Sequence, residues 1–155
     1  MANRKGGNGT RRAGSALLLA LAFAAGARAE VKDSAANGFT VENSVVVAAS
    51  TAEAWDALVD DVDAWWPRDH TWWGKASTLV IQPRSGGCFC ETAGDREARH
   101  LVVTFADPGR LLRLTGGLGP LQGMGLDGAL EFRFTPVEGG GVVGLYEPVM
   151  PASLM

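Results

Sequence analysis

Basic residues, cysteines and long apolar runs are all scarce in this chain, and each shortage removes a class of function. Fourteen Lys and Arg stand against seventeen Asp and Glu, and five of the basic residues (Arg4, Lys5, Arg11, Arg12 and Arg28) precede residue 30. From Glu30 onward nine basic side chains face seventeen acidic ones, a net charge of −8 that repels phosphate backbones and anionic lipid surfaces. Nucleic acid is therefore not an expected partner. The apolar run Ala16 to Ala25 is much shorter than the roughly 20 residues that cross a bilayer, so no membrane span is expected. Cys88 and Cys90 are the only cysteines, so a metal site would need ligands from elsewhere in the chain. No carboxylate is spaced to pair with Glu91 as two-carboxylate glycoside hydrolysis requires. The glycine-rich stretch GLGPLQGMG, from Gly117 to Gly125, lacks the Lys-Ser or Lys-Thr ending of a phosphate loop. No cofactor is implied, and no internal repeat or low-complexity tract is present.

What is present begins with a leader pattern. Basic residues precede Ala16 to Ala25, and Ala27-Arg28-Ala29 gives a small-x-small cleavage pattern, so residues 1–29 read as a secretory signal peptide and the location as periplasmic or secreted. About 126 residues remain, the size of one domain with one core. Residues 30–38 are polar and small, and read as a linker.

From Phe39 the pattern predicts an α+β chain. FTVENSVVVA, residues 39–48, suits a strand. Ser50 or Thr51 can then cap a helix, with Glu53 placed for a capping box. Trp55, Leu58, Val59 and Val62 form its apolar stripe, and Asp56, Asp60, Asp61 and Asp63 take a solvated face. Trp65-Trp66-Pro67 ends the helix, and the tryptophan-rich piece from Trp65 to Gly74 reads as a loop or a short second helix. Strands are predicted over residues 78–82, 87–91, 99–106, 110–115, 128–135 and 141–147, joined by glycine and proline turns in an antiparallel meander. Leu112 and Leu114, then Leu130, Phe132 and Phe134, point one way, so the sheet has one apolar face.

Several residues carry candidate chemistry. Cys88 and Cys90 share a face of their strand. They read as buried thiols, as a disulfide if a bulge brings them together, or as a metal or redox site with His100 and Glu91. Without a bulge, residues two apart on an extended strand lie near the upper limit of disulfide span. His100 is a weak candidate for acid–base catalysis, because alternation puts Leu101, Val103 and Phe105 on the core face and His100 on the other. Glu91 is a second weak candidate, as a carboxyl whose pKa an apolar cavity would raise. His70 reads as a solvated surface residue.

GGCFCE (Gly86 to Glu91), His100, the Asp107-Pro108-Gly109 turn and GGLGPLQGMG (Gly116 to Gly125) together resemble bacterial secreted SRPBCC proteins. These form the START-like superfamily that includes polyketide cyclases and relatives of a heat-shock ATPase activator. The likeness covers Phe39 to Tyr146 and implies a helix-grip domain over residues 39–147, with a curved sheet packed on helices around an apolar cavity. Trp65, Trp66, Trp72 and Trp73 are then candidates for its mouth. Leu79, Ile81, Phe89, Leu112, Leu114, Leu130 and Phe132 are candidates for its walls, and Leu118, Leu121 and Met124 for its cover. In similar proteins a long C-terminal helix follows the last strand, whereas here EPVMPASLM follows Tyr146, so residues 148–155 are expected as an irregular tail without that helix. An oligomer or partner would then cover the exposed sheet face. The resemblance implies binding of a small hydrophobic molecule, with a cyclase-like or aromatase-like enzyme and a chaperone-associated module as alternatives. It transfers no catalytic triad.

Overall fold

Among the described residues, eight antiparallel strands and three short α-helices build an α+β helix grip. The computed structural model describes residues 28–35, 38–138 and 140–151. In chain order the elements are β1 (Arg28–Ala35), β2 (Gly38–Val47), α1 (Thr51–Asp60), α2 (Val62–Trp65), β3 (Thr78–Ile81), β4 (Cys88–Ala93), β5 (Arg96–Asp107), β6 (Leu111–Gly116), α3 (Pro120–Gly123), β7 (Leu126–Val137) and β8 (Gly140–Pro151). The strands form one sheet in the order β1-β2-β8-β7-β6-β5-β4-β3. Strands β3 to β8 pair as consecutive hairpins, while the connection from β2 to β3 spans the whole sheet and carries α1, α2 and the tryptophan loop.

That long crossing places the helices on the apolar face. Ser50 caps α1: its Oγ accepts the Glu53 N–H, and Glu53 Oε2 accepts the Ser50 N–H at 2.8 Å, the reciprocal box the sequence predicts. The apolar stripe continues past α1 but the helix does not. It breaks at Asp61 and restarts as α2, so Trp55 and Val59 come from one segment and buried Val62 from the next. These three pack with Leu79, Ile81, Phe89, Leu101, Val103, Leu112, Leu114, Leu130, Phe132 and Phe134 into one core. Trp55 meets Phe134 with ring centroids 5.6 Å apart.

Several boundaries differ from the sequence reading. Most of residues 30–38, expected as a linker, belong to strands: β1 runs from Arg28 to Ala35 beside β2, because backbone pairing needs no apolar period in the side chains. The leader expected over residues 1–29 lies outside the described residues except for its last two, which begin β1. The tail expected from residue 148 is strand as far as Pro151, paired opposite Leu126, and residues 152–155 lie outside the described set. Asp63 is not simply solvated. It accepts the Leu79 N–H at 2.9 Å and pairs with Arg68 at 2.8 Å. Among the described residues no helix is longer than the ten residues of α1, and none is long and apolar enough to cross a membrane.

The β3–β4 turn depends on Gly87, where a Cβ would stand 2.2 Å from the Gln82 carbonyl oxygen. A Cβ on Gly123 would meet nothing within 4 Å. Gly87→Ala is expected to cost about 1–3 kcal/mol in urea unfolding, and Gly123→Ala less than about 0.5 kcal/mol. Equal effects at the two positions would contradict this packing.

Candidate functional site

The site starts from an irregularity in the sheet. Between β4 and β5 the ladder pairs Phe89 with Leu101 and then Cys90 with Arg99, leaving His100 as the extra residue of a β-bulge. The bulge breaks the alternation that the sequence suggested, so His100 and Leu101 are both buried. A second register shift, between Val103 and Phe105, has the opposite result for Phe105. Its ring is turned out to 43% exposure beneath the Arg113 guanidinium, 5.6 Å away, while Ala106 packs against the core.

The cysteines lie opposite the His100 bulge. Cys88 and Cys90 are disulfide-bonded, with Cα atoms 5.4 Å apart, on the strand segment that faces it. The alternatives of buried thiols and of a metal site are not realised. The pair alternates away from Phe89 and Glu91, and among the described residues no three His, Cys, Asp or Glu side chains gather as metal ligands.

Glu91 is completely buried and fully bonded. Its Oε2 lies 2.9 Å from His100 Nε2. Its Oε1 accepts the Ser77 hydroxyl at 2.5 Å and the backbone N–H groups of Trp72 and Trp73 at 2.8 and 3.3 Å. Burial by itself would raise this carboxyl, but the bonds from Ser77, His100, Trp72 and Trp73 together outweigh it and hold the group below its usual range. The expectation of a raised, acid-donating Glu91 is therefore overturned. The apolar setting was anticipated, and the four donors were not.

Two of those donors, Trp72 and Trp73, belong to the tryptophan loop, which Arg68 also ties. Its guanidinium donates to the Ser77 carbonyl at 2.8 Å and to the Asp63 carbonyl at 2.6 Å, while Thr71 donates back to the Arg68 carbonyl at 2.6 Å. The Arg68 partner, and then the Leu79 N–H, hold the Asp63 carboxyl below its ordinary value. Held in this way, the loop lays the Trp72 indole parallel to the His100 ring, 8° between planes and 6.5 Å between centroids. Phe89 packs on the same imidazole at 5.3 Å, and Trp66 meets Phe89 edge-on at 5.1 Å.

Between the loop and the β6–β7 connection lies a cavity of about 520 Å³ lined by Trp66, Asp69, His70, Thr71, Trp72, His100, Leu118, Gly119 and Pro120. The structure thus brings Trp66, Trp72 and Leu118 together from the predicted ligand set. Leu79, Ile81, Phe89, Leu112, Leu114, Leu130 and Phe132 are core residues, because α1, α2 and Trp66 fill the space over the sheet. Trp65 donates to the Leu58 carbonyl at 3.0 Å and borders a separate apolar cleft beside α1. Trp73 lies beneath the Arg96 guanidinium, 5.2 Å from it. Leu121 does not line the cavity, and Met124 is 68% exposed. Asp69, His70 and Thr71 were missed as wall residues, although their position inside the tryptophan loop was the available signal.

Glu91→Gln is expected to lower stability by about 2–3 kcal/mol near neutral pH, the scale of hydrogen bonds made to a buried charge. The native carboxyl lies below its ordinary value near 4.5, so this contribution is present above that pH and is lost as pH falls through the native value. Urea unfolding of both proteins from about pH 6 to about pH 3 should show their difference closing at the acid end. A difference that stays constant would contradict an ionised Glu91.

No protein-family model matches the chain, and no curated protein sequence matches it. Solved structures do. A Rhodobacter sphaeroides protein superposes with a TM-score of 0.55 at 19% identity, over 81% of this chain and 79% of its own. A conserved protein of unknown function from Enterococcus faecalis gives 0.56 at 14%, over 81% of this chain and 63% of its own. CalU16 from Micromonospora echinospora gives 0.50 at 15%, over 84% and 74%. At such identities the likeness extends to the fold and no further: the chain has an α+β helix-grip-like fold with a curled antiparallel sheet.

Proposed function

We propose that this protein binds a small, planar, largely apolar molecule in the cavity between the tryptophan loop and the β6–β7 connection. The carrying observation is the cavity of about 520 Å³, walled by Trp66, Trp72 and Leu118 with a single deeply buried polar ring, His100. Concave, mostly apolar sites with few polar groups are the usual make-up of small-molecule pockets. Export fits this reading, since a disulfide between Cys88 and Cys90 persists in an oxidising compartment. The chaperone-associated alternative gains no support from these features.

A second reading has its own observation. A buried carboxylate bonded to a histidine at a cavity wall is the arrangement that orients an imidazole for proton transfer. On that reading the protein is an acid–base enzyme acting on a carbonyl compound. His100→Ala would then cut turnover roughly 10²-fold or more, whereas a carrier would keep its affinity for a ring without a hydroxyl, such as 2-methylnaphthalene, within a few fold.

The binding reading is tested by titrating 2-methylnaphthalene into the protein while following tryptophan fluorescence, beside a Leu118→Trp variant that fills the cavity. Saturable quenching, at least about tenfold weaker in the variant, a loss of about 1.4 kcal/mol, is expected. No saturable binding, or equal binding to both proteins, would overturn it.

A further inference from the structure

His100 has one ring nitrogen committed and one free. Glu91 is held ionised and can only accept, so the 2.9 Å bond requires the hydrogen on Nε2. In the neutral ring Nδ1 is then a bare acceptor. No hydrogen bond joins Nδ1 to any described residue, and among the described residues no fully enclosed side-chain nitrogen or oxygen lacks a partner. Nδ1 is therefore reached from open space, on a residue only 5% exposed that lines both this cavity and a second of about 400 Å³ between β5 and the β6–β7 connection. Trp72 lies parallel to the imidazole and occupies a face of it. The Nδ1 lone pair lies in the ring plane and stays clear of that stack.

The other polar groups near this acceptor are spent. The Thr71 hydroxyl donates to the Arg68 carbonyl, the Trp66 indole N–H to the His70 carbonyl at 3.1 Å, and the Trp72 backbone N–H to Glu91. Asp69 and His70 are exposed residues of the cavity wall. Nδ1 thus stands as an unsatisfied acceptor beside aromatic surface. Negative charge is disfavoured there, because the Glu91 carboxylate lies directly behind His100 and Asp69 lines the wall.

We infer that His100 Nδ1 selects a neutral aromatic alcohol, accepting its hydroxyl hydrogen while the ring lies against Trp66 and Trp72, in preference to an ether or carboxylate of the same ring. This rests on the cavity being a ligand site, and it adds the ligand's chemical class. Glu91 acts in it as a positioning residue that fixes which nitrogen carries the hydrogen.

The test is calorimetric titration of the full chain with 2-naphthol, 2-methoxynaphthalene and 2-naphthoate at about pH 8, below the usual range of a phenolic hydroxyl. The alcohol is expected to bind about tenfold more tightly than the ether, and the carboxylate more weakly than either. Equal affinities for alcohol and ether would overturn the inference and leave the cavity reading standing. Binding of none of the three would overturn both. His100→Phe should remove the preference for the alcohol. Because that variant leaves Glu91 Oε2 without its partner, a second measurement uses the unaltered protein. Nitrogen-15 spectra of histidine-labelled chain, with only His70 and His100 to assign, should show an unprotonated His100 Nδ1 whose resonance moves on adding 2-naphthol. A hydrogen found on Nδ1, or a resonance that does not move, would overturn the inference.

Discussion

The Glu91 carboxylate joins three parts of the molecule at one point. It stands on β4, bonds the bulged residue of β5, and accepts two backbone N–H groups and a hydroxyl from the loop that follows α2. A carboxylate removed from water is costly unless its oxygens are satisfied, and removing its partners one at a time leaves a buried charge exposed to that cost. The loop, the bulge and the carboxylate therefore stand or fall together. The cavity is the space they leave against Leu118 and Pro120.

The bulge gives this junction its direction. A regular β5 would send His100 and Leu101 to opposite faces, and Glu91 would have no imidazole beside it. With His100 as the extra residue, both side chains turn inward and the core keeps Leu101 and Val103 while gaining a polar ring at its edge. The disulfide joins Cys88 to Cys90 on the strand segment opposite the bulge. Bulges beside functional sites commonly re-aim a side chain in this way.

Much of the architecture was legible because it depends on local period. The Ser50 cap with Glu53, the stripe through Trp55, Val59 and Val62, and the alternation of Leu112, Leu114, Leu130, Phe132 and Phe134 all follow from side-chain spacing, and the structure uses each as read. The site was less legible because it depends on departures from that period. Strict alternation assigned His100 to the wrong face and Phe105 to the core, since nothing in HLVVTF marks where the register slips. Glu91 was singled out as a buried carboxyl, yet its protonation depends on donors fourteen to nineteen residues away, which no local pattern reveals. The predicted cavity wall was drawn from the most apolar strand residues. Those are the residues that α1, α2 and Trp66 cover first, so the open space moved to the end of the sheet where the tryptophan loop stands off from the β6–β7 connection.

Amide hydrogen exchange tests most directly whether Glu91 organises the site. Trp72 has a side chain 46% exposed on a loop outside any strand or helix, so its backbone N–H has no protection to draw from secondary structure. The account predicts that the amides of Trp72 and Trp73 exchange as slowly as the pairing amides of β4 and β5, and that both lose this protection together in Glu91→Gln while the amides of β6 and β7 keep theirs. Rapid exchange at Trp72 and Trp73 in the unaltered protein, or slow exchange that survives the substitution, would contradict it.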